Sequence, residues 1–218
     1  KPSETNTNQF KSTTAVLWTD DFSNAANWVI GNLAGNSQNW VIGTSAPVGT
    51  YSSQLGPIVS TTAANGFAMY DSDAIGLSTN LIGDQNAFIR TAGVVDLTGH
   101  PYVKLRFEQL YRKFNSQTFI GVKVGTANWV EIEVNSNIAI NDMGDDVVEV
   151  DISSIAGNQS NVKIYFRYYG EWDYVWMVDD VSIEDAFIND ASTKFVYALG
   201  EQPVGVSNNI QALVQNVG

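Results

Sequence analysis

Along most of this chain apolar and polar residues take turns. Val103, Leu105, Phe107, Gln109 and Tyr111 fall on one side, with Lys104, Arg106 and Glu108 on the other. The same period of two sets Ile120, Val122 and Val124 against Phe119, Gly121 and Lys123, and Val130, Ile132 and Val134 against Glu131 and Glu133. It returns in Val148, Val150 and Ile152 against Glu149 and Asp151, and in Val162, Ile164, Phe166 and Tyr168 against Lys163, Tyr165, Arg167 and Tyr169. Successive side chains of a strand point to opposite faces, so each run predicts a strand with one face buried. Such strands belong to antiparallel sheets that keep one face in water. No window shows the period of a long amphipathic helix.

Shorter strands are predicted over 15–22, 40–42, 66–70 and 87–90. Residues 24–39 read as an Asn- and Gly-rich loop holding Trp28, and 43–65 as a long Gly/Ser/Pro-rich excursion. Roughly ten strands with apolar inner faces predict an all-β fold, a two-sheet antiparallel β-sandwich of the jelly-roll kind. Residues 1–14 are polar and read as a flexible leader, and 15–187 as the sandwich. Residues 188–218 open on a polar boundary and hold two more strand-like runs, 195–199 and 210–214. They read as a linker and the truncated start of an Ig-like β domain.

With 218 residues, 44% of them hydrophobic, the chain can bury one large β core. Its net charge of −12 argues against nucleic acid or an anionic membrane as partner, since both reward Lys and Arg. The absence of cysteine removes disulfides, thiol catalysis and Cys–zinc sites. No apolar run reaches the ~18 residues of a membrane span. The chain opens on Lys1 without a signal-peptide pattern and reads as a processed or trimmed piece.

Candidate chemistry centres on the acids and on the stretch 168–183. Asp20 with Asp21, Asp71 with Asp73, and Asp179 with Asp180 form three acidic clusters at strand ends. Counting from Met177, alternation places Met177, Asp179, Val181 and Ile183 on one face, the more apolar one, which points Asp179 inward. An inward carboxylate is costly unless paired or bound to metal. Ca²⁺ takes six to eight oxygens at roughly 2.3–2.6 Å, so the acidic strand ends are expected to meet around a structural Ca²⁺. No EF-hand spacing is present.

Residues 168–176 read as an aromatic hairpin with Trp172 at its tip. Trp172 is expected to cap the open end of the core; alternatively Tyr169, Trp172 and Tyr174 form a platform for a sugar ring. His100, the only histidine, lies in a turn and reads as solvated, leaving no Ser–His–Asp triad. Glu131 and Glu133 could flank a glycosidic bond, but their alternation with valine and isoleucine reads as a solvated sheet face.

The ordered series Asp20-Asp21-Phe22-Ser23, Trp28, Asn39-Trp40, Gly66-Phe67-Ala68-Met69-Tyr70-Asp71-Ser72-Asp73, Asp96-Leu97-Thr98-Gly99, Val150-Asp151-Ile152-Ser153 and Trp176-Met177-Val178-Asp179-Asp180-Val181 resembles the cleaved-adhesin, or choice-of-anchor J, domain, which is MAM-like in pattern. The resemblance spans about 16–184. It implies a jelly-roll sandwich, structural calcium, and an accessory role in secreted and cell-surface bacterial adhesins, peptidases and glycan-degrading proteins. One departure is that 31–39 contains no acid, where relatives often carry Asp-x-Asp-Gly before the Asn-Trp pair.

The function expected is a non-catalytic, calcium-stabilised accessory or adhesion module of a larger secreted or surface protein. Its partners would be other domains of the parent, a glycan, or a host or extracellular protein. The alternatives are a carbohydrate-binding module, using the aromatic hairpin or one sheet face, and a jelly-roll lyase or glycosidase. The last is disfavoured because no base, nucleophile and stabiliser can be assembled.

Overall fold

A computed structural model describes residues 14–34, 38–75, 85–186, 191–197 and 211–216. The chain divides into two compact units, Lys1–Asp185 and Ala186–Gly218. The smaller unit holds β12 (Ala191–Tyr197) and β13 (Gln211–Asn216), paired antiparallel from Ala191 opposite Asn216 to Tyr197 opposite Gln211. The leader reading falls outside the described residues except at Thr14, whose hydroxyl donates to Glu184 at 3.0 Å.

The larger unit is a sandwich of two antiparallel sheets, as its alternating strands demand. The first sheet runs β3 (Val41–Gly43), β4 (Phe67–Asp71), β11 (Val175–Asp185), β6 (Val103–Arg112) and β9 (Met143–Asp151), with β1 (Val16–Asp20) also on β11. The second runs β2 (Trp28–Asn32), β5 (Gln85–Thr91), β10 (Val162–Gly170), β7 (Ser116–Val124) and β8 (Val130–Val134). A one-turn helix α1 (Ser153–Ala156) follows β9.

Between the sheets lies one apolar core. Phe107, Phe166, Trp40 and Trp176 are almost wholly buried there, Phe107 meeting Phe166 edge to face at 5.0 Å and Trp40 meeting Trp176 at 5.4 Å. Tyr70 stacks on Tyr168 at 4.4 Å. Fully burying one such side chain contributes on the order of 1.5–3 kcal/mol, so the stack is what holds the layers together.

Three features depart from the reading of the sequence. The first is β2, which lies inside what reads as a loop; Trp28 faces the core while Val29, Ile30 and Gly31 pair with β5 at the sheet edge. The Gly- and Asn-rich composition hides it because a single edge strand needs few apolar residues. The second is a β-bulge in β11. Asp179 opposes Glu108 and Ser182 opposes Arg106, so Asp180 and Val181 together face Phe107, and Asp180 takes φ +48°. An extra residue reverses parity. Trp176 and Val178 face the core before the bulge, Val181 and Ile183 after it, and Met177 and Asp179 turn to the outer side. Asp179 is buried, but not between the sheets.

It is buried under the third feature, the excursion after β3. Leu55, Ile58 and Ala63 from that segment pack on Phe67, Met69, Leu110, Val175 and Met177. A second, smaller core thus covers the outer side of the first sheet. The outer side of the second sheet carries the chain's other cross-strand chemistry.

Candidate binding face

Register alone decides which side chains share the outer side of the second sheet. Residues directly opposite on paired strands lie side by side on one face. One row reads Val29, Arg90, Tyr165, Gly121, Glu131. The next reads Gly31, Phe88, Arg167, Phe119, Glu133. Beyond them Tyr169 lies between Asn86 and Gln117, and at the other end Lys163 lies opposite Lys123.

The two glycines are what let the rings lie down. A Cβ on Gly121 would fall 2.5 and 2.6 Å from two ring carbons of Tyr165, and one on Gly31 would fall 2.5 and 3.0 Å from two of Phe88. Each ring therefore occupies the space a side chain would fill, flat against the sheet. Phe88 and Tyr165 centroids lie 6.0 Å apart, and Trp129 lies 4.4 Å from Tyr165, giving a continuous aromatic band across β5, β10 and the start of β8.

Arg167 sits in the middle. Its guanidinium lies 4.4 Å from the Phe119 centroid and 5.6 Å from that of Tyr169. Its Nε and Nη2 donate to the two Glu131 oxygens at 2.5 and 2.8 Å, and Nη1 donates to Asn86 Oδ1 at 3.1 Å. The Tyr165 hydroxyl donates to Glu131 as well. Burial alone would raise the Glu131 carboxyl, but hydrogen bonds from Arg167 and Tyr165 and the Arg167 charge hold it below its ordinary value. The Tyr165 hydroxyl is pushed up, by burial first and then by that carboxylate. The planar fork thus locks ring, cation and anion in one geometry. Tyr165 itself is buried, so the apolar surface this face offers is that of Phe88, Phe119, Trp129 and Tyr169. Together with fixed hydrogen-bonding groups it can hold a sugar ring by stacking from one side and polar contacts at its edge.

The sequence-predicted acids are occupied differently. Asp20 accepts from Phe22 N at 2.9 Å, Asn27 Nδ2 at 2.7 Å and Trp28 Nε1 at 2.7 Å. Asp21 accepts from Ser23 and, at 2.8 Å, from Asn65 Nδ2; the Ser23 bonds foremost hold its carboxyl below the usual range. Asp71 accepts from Val48 N, Gly49 N and Ser52 Oγ at 2.6, 3.1 and 2.7 Å. Asp73 accepts from Tyr51 N and, at 2.8 Å, Ser52 N. Asp179 accepts from Ser60 Oγ at 2.5 Å and Asp180 N at 2.8 Å, and Asp180 from Thr62 N and Oγ1 at 3.0 and 2.9 Å. Burial, with the Asp180 and Glu108 charges adding to it, raises Asp179 to about 7.

Five of these six therefore clasp the segment 44–65 onto the first sheet. Among the described residues no group of three or more acids or histidines is placed to hold a metal ion.

The aromatic stretch 168–176 is not a hairpin, because β10 and β11 belong to different sheets. Residues 171–174 cross between them. Buried Asp173 holds the crossing, accepting from Phe114 N at 2.5 Å, Tyr174 N at 2.7 Å and the Ser116 hydroxyl. Trp172 is 51% exposed with φ +52°, so it does not cap the core. Tyr174 packs against Arg112, whose guanidinium lies 4.2 Å from its ring. Only Tyr169 of the three predicted aromatics reaches the band; Phe88, Phe119 and Tyr165 make up the rest with Trp129, a tryptophan that reads from the sequence as part of the core or its ends and instead lies beside Tyr165 and Lys123. Their signal was present, because each is an aromatic at an outward position of an alternating strand or beside one.

His100 Nδ1 lies 2.7 Å from Asp185 Oδ1, and among the described residues no serine hydroxyl bonds its other nitrogen. Glu131 and Glu133 do stand on a solvated face.

No protein-family model and no curated protein matches the chain. Solved structures of similar architecture include the K3 cleaved adhesin domain of Lys-gingipain from Porphyromonas gingivalis W83, 18% identical with a TM-score of 0.49 over 78% of this chain and 99% of that one. The family 11 carbohydrate-binding module from Clostridium thermocellum, solved with a β-1,3-1,4-mixed-linked tetrasaccharide, is 13% identical with a TM-score of 0.40 over 77% and 94%. The enzymatically active domain of tailspike protein 4 of bacteriophage CBA120 is 11% identical with a TM-score of 0.41 over 75% of this chain and 20% of that one. This chain therefore spans a fifth of the tailspike structure and nearly all of the other two. These likenesses reach no side chain of the face.

Proposed function

We propose that the sandwich is a non-catalytic module that binds glycan on the outer face of its second sheet, within a larger secreted or cell-surface protein. The observation that carries this reading is the aromatic band, with two rings laid flat over glycines and a fixed Arg167–Glu131 fork between them. Hydrolysis is the less supported reading of the same face. A general acid needs a carboxyl that keeps its proton, whereas Arg167 and Tyr165 hold Glu131 ionised against its burial. Among the described residues no helix is long and apolar enough to cross a membrane.

The test is a panel of immobilised glycans probed with the wild-type chain and with Phe119→Ala and Arg167→Ala variants. Binding that falls at least about tenfold in both variants, with melting curves preserved, supports the face. Binding untouched by both places the ligand elsewhere. Turnover of a bound polysaccharide would revive the enzyme.

A further inference from the structure

Charge is divided between the two sheets. The strands of the first sheet carry eleven Asp and Glu against three Lys and Arg. Those of the second carry four cations, Arg90, Lys123, Lys163 and Arg167, against two carboxylates, Glu131 and Glu133, a net of +2. In a chain of net charge −12 with eleven basic residues, more than a third of the cations stand on this one face.

Three of those four have no counter-charge among the described residues. Arg167 is forked by Glu131, but among the described residues Arg90, Lys123 and Lys163 form no ion pair. Arg90 and Lys163 donate only to the backbone carbonyls of Thr91 and Ala92. Lys163 and Lys123 stand directly opposite each other on β10 and β7, an arrangement of like charges that destabilises a sheet. Acid is plentiful elsewhere in the chain, and among the described residues none pairs with either lysine. Lys123 reaches the edge of the aromatic band, its Nζ 5.9 Å from the Trp129 centroid.

We infer that the glycan taken by this face is an acidic polysaccharide, its carboxylate or sulfate received between Lys123 and Lys163 and its ring laid against Trp129. The inference rests on the glycan-binding reading of the face and adds the chemical class. An anion between the lysines supplies a counter-charge that neither has among the described residues. The acidic first sheet repels the same ligand, so the molecule's own field turns the second sheet toward it. Requiring a ring on Trp129 separates a sugar acid from a bare polyanion.

The experiment is affinity electrophoresis of the 218-residue chain through polygalacturonate, chondroitin sulfate, neutral galactan and dextran sulfate. The gels are run at about 20 and about 300 mM salt, which bracket the screening of a surface charge. Polygalacturonate or chondroitin sulfate is expected to retard the chain at low salt. The two arms separate the carboxylate from the sulfate. A Lys123→Gln/Lys163→Gln variant is expected to lose about tenfold in affinity or more, and Trp129→Ala a comparable amount. Wild-type melting of the variants shows that they fold. Galactan bound as well as the acidic glycans, without salt dependence, overturns the acidic class while leaving the glycan reading intact. Retardation by none of the four overturns the acidic class, and the glycan panel with Phe119→Ala and Arg167→Ala decides the glycan reading separately. Undiminished binding in the lysine variant, or equal binding of dextran sulfate by Trp129→Ala and wild type, removes the site assigned here.

Discussion

Gly121→Ala tests whether the aromatic band is built on its glycines. Glycine inside a strand ordinarily costs roughly 0.5–1 kcal/mol relative to alanine, so the change would stabilise an unobstructed strand. At Gly121 the new Cβ would lie 2.5 and 2.6 Å from Tyr165 ring carbons, and something must move. The ring is pinned by its hydroxyl bond to Glu131 and by Trp129 at 4.4 Å. Lifting it breaks a charge-assisted hydrogen bond and forces a strained rotamer, a combined cost of about 1–3 kcal/mol. For a unit of this size a loss near 2 kcal/mol lowers the melting temperature by about 4–8 °C. The control is Gly43→Ala in β3, where no atom lies within 4 Å of the new Cβ and melting is expected to hold or rise slightly. Thermal denaturation followed by circular dichroism reads both. A Gly121→Ala variant as stable as Gly43→Ala would mean that Tyr165 moves freely, and the idea of a preorganised band would fail.

Other expectations follow from single environments. Burial raises Asp173 to about 6, above its unfolded value of 3.8, so the stability it contributes is complete below about pH 4 and is lost as pH rises through 6. The rise from 3.8 to about 6 corresponds to about 3 kcal/mol; Asp173→Asn should flatten that limb of the melting temperature against pH, and an unchanged slope would disprove the assignment. Trp172→Ala, at a half-exposed residue of positive φ, should cost less than about 1 kcal/mol, and Trp172→Gly no more than that; a loss of the size of a core tryptophan in chemical denaturation would restore it as a cap. Deleting 186–218 should leave the melting of the Lys1–Asp185 unit within about 3 °C, since the units are separately compact. A large drop would show that the tail completes the sandwich.

The two-sheet sandwich is legible in the amino-acid pattern alone. Alternation in β6, β7, β8, β9 and β10 marks the side of each strand turned to the core, and that pattern is local, so no tertiary information is needed to read it. Alternation also placed Glu131, Arg167 and Tyr165 on outward positions. Strand pairing is what remained invisible. Only the register sets Lys163 against Lys123 and lays Tyr165 over Gly121, residues forty or more positions apart. The sequence shows acids at strand ends but not the N–H and O–H groups of 44–65 that meet five of them, because those donors arrive from a segment with no period of its own. One inserted residue at Asp180 reverses the parity on which Asp179 was placed, and a bulge leaves no mark in an alternating run until its partner strand is known. Alternation is a property of one strand, whereas a binding face belongs to several, and their order is set by how the whole core closes.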